Sequence, residues 1–308
     1  MVQVVLLTIA CADQTALGND ALRTYSYIKA VKRPPMFMRF ASLATAITFA
    51  MPAVAQQSGT DELFELLMLP DIIEIMREEG VSYGDTIGQD LFAGPPTAEW
   101  AATVERIYDY EVMKGMVRAD FETALEGEDL TPILEFFGSD QGQMIIGLEV
   151  SARRALLDDA VEEAAQDAAM IALADEDPRM MHVVAFVEAN NLIETNVEGA
   201  LNSNLAFFMG LLDGGAFAGA LSEEQVLTDV WSQEAEIRDS TTEWINSFLF
   251  LAYQPLEDGD LQAYIAFSET DAGAVINRTM FDSFDRLFNG ISRSLGRAAA
   301  KEMTMQEL

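Results

Sequence analysis

Apolar residues recur along this chain at intervals of three and four, the spacing that places side chains on one face of an α-helix. The clearest stretch is 97–125, where Thr97 precedes apolar residues at Trp100, Val104, Ile107, Met113, Met116, Val117, Phe121 and Leu125. No stretch shows a convincing alternation with the period of two that indicates a half-buried strand. The pattern therefore predicts an all-α fold, with one long helix from Thr97 to Leu125.

Capping and breaking residues divide the rest of the chain into further predicted helices. The predicted elements are a helix interrupted at Pro70 and ended by Gly80, a short helix 130–138 behind Asp129, a helix 141–170 behind Ser139, a long helix 179–212 behind Asp177 and Pro178 with a bend near 190–191 or at Gly199, a helix 226–252 behind Ser222, a short helix 261–267 behind Asp260, and a last helix 272–303 behind Thr270. Along 141–170 one apolar stripe is predicted to be buried: Ile145, Leu148, Ala152, Leu156, Ala160, Ala164 and Ala168.

Residues 97–156 reappear 131 positions later without a gap, with twelve identities in sixty positions. A repeat of this length indicates that one supersecondary unit is present twice. We therefore predict a helical bundle built from two pseudo-equivalent multi-helix repeats, residues 56–175 and 176–308. Trp100 and Trp231 are one of the identical pairs, and their side chains are expected in matching places.

The junction between two helices of each copy carries the most specific local pattern. Its members in the first copy are Leu130, Phe136, Ser139 and Gly142, and those in the second copy are Leu261, Phe267, Thr270 and Gly273. A hydroxyl at a helix start accepts a backbone amide hydrogen of the first turn, and a glycine there permits the close approach of another helix. The alternative is an anion site at the helix N-terminus, which the acidic first turn disfavours. We interpret these eight residues as structural.

The two junctions resemble the periplasmic family known as domain of unknown function 2059. The family pattern is a leucine-led short helix, an aromatic pair, and Ser/Thr-x-x-Gly opening a long helix. The resemblance covers roughly residues 125–175 and 256–300, and the second copy departs from it at Ser268. It implies a signal-bearing, all-helical protein, and it brings no established reaction or catalytic residue.

The N-terminal region has the pattern of a secretory signal peptide in residues 38–55. Basic residues precede a short apolar run that ends in Ala53-Val54-Ala55, and the run is far shorter than the roughly 20 residues of a membrane-spanning helix. Cleavage after Ala55 is expected, which predicts a periplasmic or secreted protein with no transmembrane segment in the mature chain. Residues 1–37 are interpreted as an extension before a natural start at Met36 or Met38, and an earlier lipoprotein signal ending at Cys11 is the alternative.

The net charge of the chain restricts the classes of partner that it can attract. Residues 1–55 hold five Lys or Arg and two Asp or Glu, which leaves 13 basic and 49 acidic residues and a net charge of −36 for the mature chain. Such a field repels nucleic acid and anionic membranes. Two interpretations remain, solubility in a salty exterior compartment and attraction of a cationic protein or envelope component.

The sequence holds no complete catalytic or metal-binding motif. His182 is the only histidine, and the mature chain has no cysteine, so a His- or Cys-based metal site lacks its ligand set. We predict no cofactor and no metal. Paired carboxylates stay open, because 49 acidic residues form pairs by chance.

The last predicted helix carries Arg286, Arg293, Arg297 and Lys301. We expect these bases to dock on Glu162, Glu163 or Asp167 of the predicted helix 141–170, which is the counterpart of the last helix in the first copy. Binding to a membrane surface is the alternative. The functional hypothesis is a non-catalytic periplasmic interaction or envelope-support protein. The competing hypothesis is a carboxylate-dependent hydrolase of a cell-envelope substrate.

Overall fold

The computed structural model describes residues 50–216 and 222–306, and these residues form helices without any strand. The predicted extension 1–37 lies outside the described residues, as does the predicted signal peptide up to residue 49. The all-α fold class is confirmed. The helices are α1 (Ala50–Leu66), α2 (Leu69–Leu91), α3 (Ala98–Ile107), α4 (Tyr110–Ala124), α5 (Thr131–Phe137), α6 (Asp140–Ala155), α7 (Asp159–Ala174), α8 (Pro178–Ala189), α9 (Leu192–Asp213), α10 (Glu223–Ser232), α11 (Glu234–Tyr253), α12 (Asp258–Ser268) and α13 (Asp271–Gln306).

The long helices expected from periodicity are divided by capped turns. Asp109 accepts a hydrogen bond from the Val112 amide at the start of α4, and Asp158 accepts one from the Ala160 amide at the start of α7. The bend expected near 190–191 is a full break between α8 and α9, where Asn191 adopts a left-handed φ of 51°. Apolar residues continue at helical spacing across each turn, so periodicity alone hides the breaks, whereas a capping carboxylate stabilises a new helix start.

Helix α2 does not end at Gly80, as the sequence had suggested, but runs on to Leu91. A side chain at Gly80 would collide with the Tyr108 ring, and one at Gly84 would collide with Val104. The glycines therefore form a groove in which the residues of α3 and the following turn lie against α2. Close helix packing outweighs the low helix propensity of glycine here.

Most buried side chains belong to one continuous core. A second, smaller cluster joins α9, α10 and the start of α11 through Val197, Ala200, Leu201, Val226, Val230 and Ile237. Helices α9 and α13 pack most closely, because Gly210 faces the Arg293 carbonyl and Gly296 faces the Phe207 carbonyl. None of the described helices has the length and apolar character needed to cross a bilayer.

The predicted apolar stripe does not continue from α6 into α7. Ala165, Ala169 and Ala172 are the buried alanines of α7, while Ala160, Ala164 and Ala168 are exposed. The turn at 156–158 restarts the helix in a different rotational phase, so positions counted through it fall on the wrong face. Helix α7 packs on α11 through the alanines of this new phase.

Candidate functional site

The two repeat junctions have the same hydrogen bonds at the same offsets. Ser139 Oγ donates to the Phe136 carbonyl at 2.6 Å and accepts from the Gly142 amide at 3.0 Å. Thr270 Oγ1 donates to the Phe267 carbonyl at 2.6 Å and accepts from the Gly273 amide at 3.0 Å. Each hydroxyl therefore ties the end of one helix to the first turn of the next.

The glycines of these junctions lie against backbone. A Cβ on Gly142 would collide with the Phe136 carbonyl oxygen and lie 2.8 Å from Phe137 Cα. A Cβ on Gly273 would collide with the Phe267 carbonyl oxygen and lie 2.7 Å from Ser268 Cα. The element that approaches each glycine is thus the C-terminal end of the preceding short helix.

The fold brings the two junctions into contact. The Phe136 and Phe267 rings are stacked with their centroids 4.1 Å apart and their planes 10° from parallel. Leu130 and Leu261, which lead the two short helices, are buried. Six of the eight residues singled out from the sequence lie at one joint between α5–α6 and α12–α13, and the two leucines are buried in the core at the other ends of the short helices.

A buried polar cluster beside this joint was not anticipated from the sequence. Glu149 on α6 is 0% exposed and accepts a 2.7 Å hydrogen bond from the Tyr253 hydroxyl on α11. Burial, reinforced by the charge of Glu149, holds the pKa of Tyr253 and of Tyr264 well above the ordinary range. The only sequence signal was the spacing of Glu149 and Arg153 along the buried face of α6.

Arg153 connects this cluster to the surface. Its Nε and Nη2 donate to the two carboxylate oxygens of Glu79 at 2.9 and 2.6 Å, and its guanidinium lies 4.7 Å from the Trp244 ring centroid. Arg153 itself is buried, whereas Glu79 is partly exposed. A bidentate pair with an aromatic platform holds three helices, α2, α6 and α11, in register. Glu149 and Arg153 thus connect three helices inside the core, and solvent does not reach Glu149.

The acids whose pKa is raised by burial do not lie together in one cluster. Burial raises the pKa of Glu162 on α7, and the charge of Asp159 adds to this effect. Burial likewise raises the pKa of Asp285 on α13, against the opposing hydrogen bond from Asn202. The two acids belong to helices with different neighbours, and neither lines either of the two depressions described next.

Two shallow depressions mark the described surface. The smaller, about 160 Å³, lies between α3 and α13 and is lined in part by Glu99, Trp100, Lys301 and Glu302. The larger, about 290 Å³, lies at the turn between α8 and α9 and is lined in part by Asn190, Asn277, Arg278 and Asp282. Ligand clefts typically measure about 300–1,000 Å³, so the smaller depression lies well below this range and the larger one at its lower end.

His182 is half-buried among apolar and polar neighbours. Its Nε2 lies 3.3 Å from the Gln262 amide nitrogen and its Nδ1 lies 4.0 Å from an Asp258 oxygen. Over residues 50–216 and 222–306, no three His, Cys, Asp or Glu side chains are grouped as metal ligands. The geometry around His182 is that of a hydrogen-bonded side chain between α8 and α12.

The bases of α13 dock on acids other than those expected. Arg293 and Arg297 both bond Asp213 at the end of α9, and Arg286 bonds Asp120 on α4. Glu162, Glu163 and Asp167 belong to α7, which packs on α11 instead. The expectation of docking on acids was sound, but the named partners were wrong because it assigned α7 to the wrong neighbour.

Trp100 and Trp231 do not occupy matching places. Trp100 is 2% exposed and donates from its indole nitrogen to the Gly84 carbonyl at 2.9 Å, whereas Trp231 is 59% exposed. The prediction failed because α3 is covered by α2 and α13, while α10 rests chiefly on α9. No protein-family model, curated protein or solved structure matches this chain.

Proposed function

We propose that this protein is an exported, non-catalytic interaction or envelope-support protein. The observation that carries the proposal is the distribution of chemistry between interior and surface. Glu149, the carboxylate bonded by Tyr253, is buried in the core, whereas the large apolar side chains of Leu227 and Trp231 are 43% and 59% exposed. A catalytic carboxylate has to be reached by its substrate, while exposed aromatic side chains are typical of binding surfaces.

The proposal includes two pseudo-equivalent repeats, 56–175 and 176–308, each with one junction resembling domain of unknown function 2059. Its support is the stack of Phe136 on Phe267, residues 131 positions apart, and the equal capping of α6 and α13. The unequal burial of Trp100 and Trp231 limits the equivalence to the junctions and the helices next to them.

Export is tested by the N-terminus of the mature protein. Expression of the full chain in a Gram-negative host, followed by fractionation and intact mass, is expected to give a periplasmic protein beginning at Gln56. Replacing Ala53 and Ala55 with Arg should block processing, because signal cleavage requires small residues at these positions. A protein that keeps Met1, Met36 or Met38 and stays in the cytoplasm would contradict export.

Interaction is tested by capture under crosslinking. The processed protein, tagged at its C-terminus, is incubated with periplasmic extract, crosslinked and analysed by mass spectrometry. We expect a reproducible partner whose capture decreases as salt rises, because the acidic surface attracts cationic groups. An exported acidic helical protein of similar charge serves as the control for nonspecific capture.

A carboxylate-dependent hydrolase of an envelope substrate is the second candidate, favoured by one observation. Glu99 and Glu302 both line the depression beside Trp100, where Glu302 accepts a 2.9 Å hydrogen bond from Thr97 and Glu99 lies 3.6 Å from Lys301. Incubation with purified peptidoglycan and outer-membrane fractions tests it. Turnover that disappears in Glu302→Gln or Glu99→Gln would replace the interaction hypothesis.

A further inference from the structure

Helix α10 presents an apolar face that the rest of the described molecule leaves uncovered. Leu227 and Trp231, one helical turn apart, are 43% and 59% exposed. The helix is held from its other side by Val226 and Val230, which belong to the small cluster with α9. A tryptophan indole that contributes nothing to this cluster is a large apolar surface left in water, and tryptophan is the side chain most enriched among interface anchors.

The sequence around this face is rich in acids. Residues 222–236 hold five Asp or Glu and no Lys or Arg, and Glu223, Glu224 and Glu236 are exposed. The nearest arginine along the chain, Arg238, is already bonded to Glu194 and Glu234. Arg293 on α13 is close enough to Glu223 to interact with its charge, but it bonds Asp213. Acids therefore stay in excess around this face.

A buried tryptophan of this protein shows how a guanidinium binds between an indole and a carboxylate. At Trp244, the Arg153 guanidinium lies over the indole and donates two hydrogen bonds to the Glu79 carboxylate. Trp231 and its acidic neighbours offer the same two components at the surface. Among the described residues, no Lys or Arg lies over the Trp231 ring.

We propose that the α10 face docks a cationic amphipathic helix of a partner protein. This face consists of Leu227, Trp231, Glu223 and Glu224 of α10 together with Glu236 at the start of α11. Apolar side chains of the partner cover Leu227 and Trp231, and an arginine lies over the indole within reach of the acids. This inference rests on the proposed interaction function and specifies its partner. A second copy of this chain would bring a second acidic rim into contact, and an anionic bilayer would be repelled by the same charge.

The probe for this proposal is a short amphipathic helical peptide of Leu, Ala and Arg, compared with a scrambled peptide of the same composition. Trp231 reports binding directly, because Trp100 and Trp244 are only 2% and 3% exposed. We expect protection of Trp231 from acrylamide quenching and a blue shift of its emission. Binding should weaken as salt rises, and the scrambled peptide should bind about tenfold more weakly, since apolar anchors carry most interface energy.

Variants then locate the site, with peptide affinity measured by calorimetry. Trp231→Ala and Leu227→Ala should each weaken binding about tenfold, the scale of interface anchors, and the triple change of Glu223, Glu224 and Glu236 to Gln should reduce the salt dependence. The matched control is Met170→Ala on α7, a side chain of 63% exposure that should bind like the parent. Circular dichroism checks that each variant keeps the helix content of the parent. We expect it to be unchanged, because the substituted side chains are exposed.

Three results would overturn the docking face: no binding of the amphipathic peptide, equal binding by Trp231→Ala, or loss of binding in Met170→Ala alone. Equal binding of neutral and anionic vesicles by parent and Trp231→Ala would further exclude a lipid occupant, and a monomeric sedimentation profile would exclude self-association. The broader function is judged separately. If the parent and Trp231→Ala capture a periplasmic partner equally, the proposed docking face is wrong while the interaction function stands. If the parent captures no partner, the interaction function itself is wrong.

Discussion

At the residue scale, Gly142 and Gly273 have a role that can be measured. A methyl group at either position collides with the carbonyl oxygen of the preceding short helix, so Gly142→Ala and Gly273→Ala should each lower the free energy of unfolding by about 1–3 kcal/mol through overpacking. Urea unfolding measures the change.

Gly147, on the same helix as Gly142, is the matched control. A Cβ there meets nothing within 4 Å, so Gly147→Ala should raise stability by up to about 1 kcal/mol through helix propensity. Variants of all three glycines that gain stability alike would mean that the junctions accommodate a side chain after all.

Two fully buried tyrosines offer a second comparison. The Tyr253 hydroxyl donates to buried Glu149, whereas the Tyr108 hydroxyl is buried without a hydrogen-bond partner. Tyr253→Phe should therefore cost about 1–3 kcal/mol, because it deprives a buried carboxylate of a donor, while Tyr108→Phe should be neutral or stabilising. Guanidinium unfolding of both variants decides, and equal losses would show that the hydrogen bond to Glu149 contributes nothing specific.

At the element scale, the rotational phase of α7 distinguishes neighbouring alanines. Ala169 is 3% exposed against α11 and Ala168 faces solvent. Ala169→Leu should lower stability by about 1–3 kcal/mol because the packed face has no room, and Ala168→Leu should stay within about 0.5 kcal/mol of the parent. Thermal unfolding of the pair tests the phase, and the opposite order would restore the stripe expected from sequence.

The helices differ in how much of them could be predicted. Starts at Asp177, Ser222 and Ser139 follow from side chains that bond the backbone of their own first turn. The breaks at Asp109 and Asp158 also have local caps, but uninterrupted apolar spacing concealed them. The passage of α2 through Gly80 could not be predicted, since it depends on Tyr108 arriving from a later segment.

At the scale of the whole molecule, charge governs the response to salt. Residues 56–308 carry a net charge of −36, so repulsion among these charges destabilises the compact state, and salt screens that repulsion. The melting temperature should rise as sodium chloride increases from tens of millimolar to about 0.5 M. A melting temperature that does not change with salt would mean that internal ion pairs, such as Arg153 with Glu79, already offset the repulsion among the acidic side chains.

Alkaline stability depends on the buried phenols. Burial raises the pKa of Tyr108, Tyr253 and Tyr264 in the folded state, while unfolded tyrosines ionise near 10. The contribution of these tyrosines to the free energy of unfolding is therefore complete below about pH 10. It declines above that pH, because the unfolded state loses phenolic protons that the folded state keeps. Melting temperatures should fall from about pH 10 upward, and Tyr108→Phe should make that fall shallower. An identical slope in the variant would contradict this account.

By itself, the sequence determined the helical class, several helix starts and the two matched junctions. These features depend on periodicity and on hydrogen bonds between residues a few positions apart. Only the tertiary structure decided that Phe136 stacks on Phe267, that Glu149 meets Tyr253, and that Trp231 stays in water while Trp100 is enclosed. Burial is a property of neighbours, and these neighbours come from distant segments whose arrangement depends on the rotation of each helix after its capped turn.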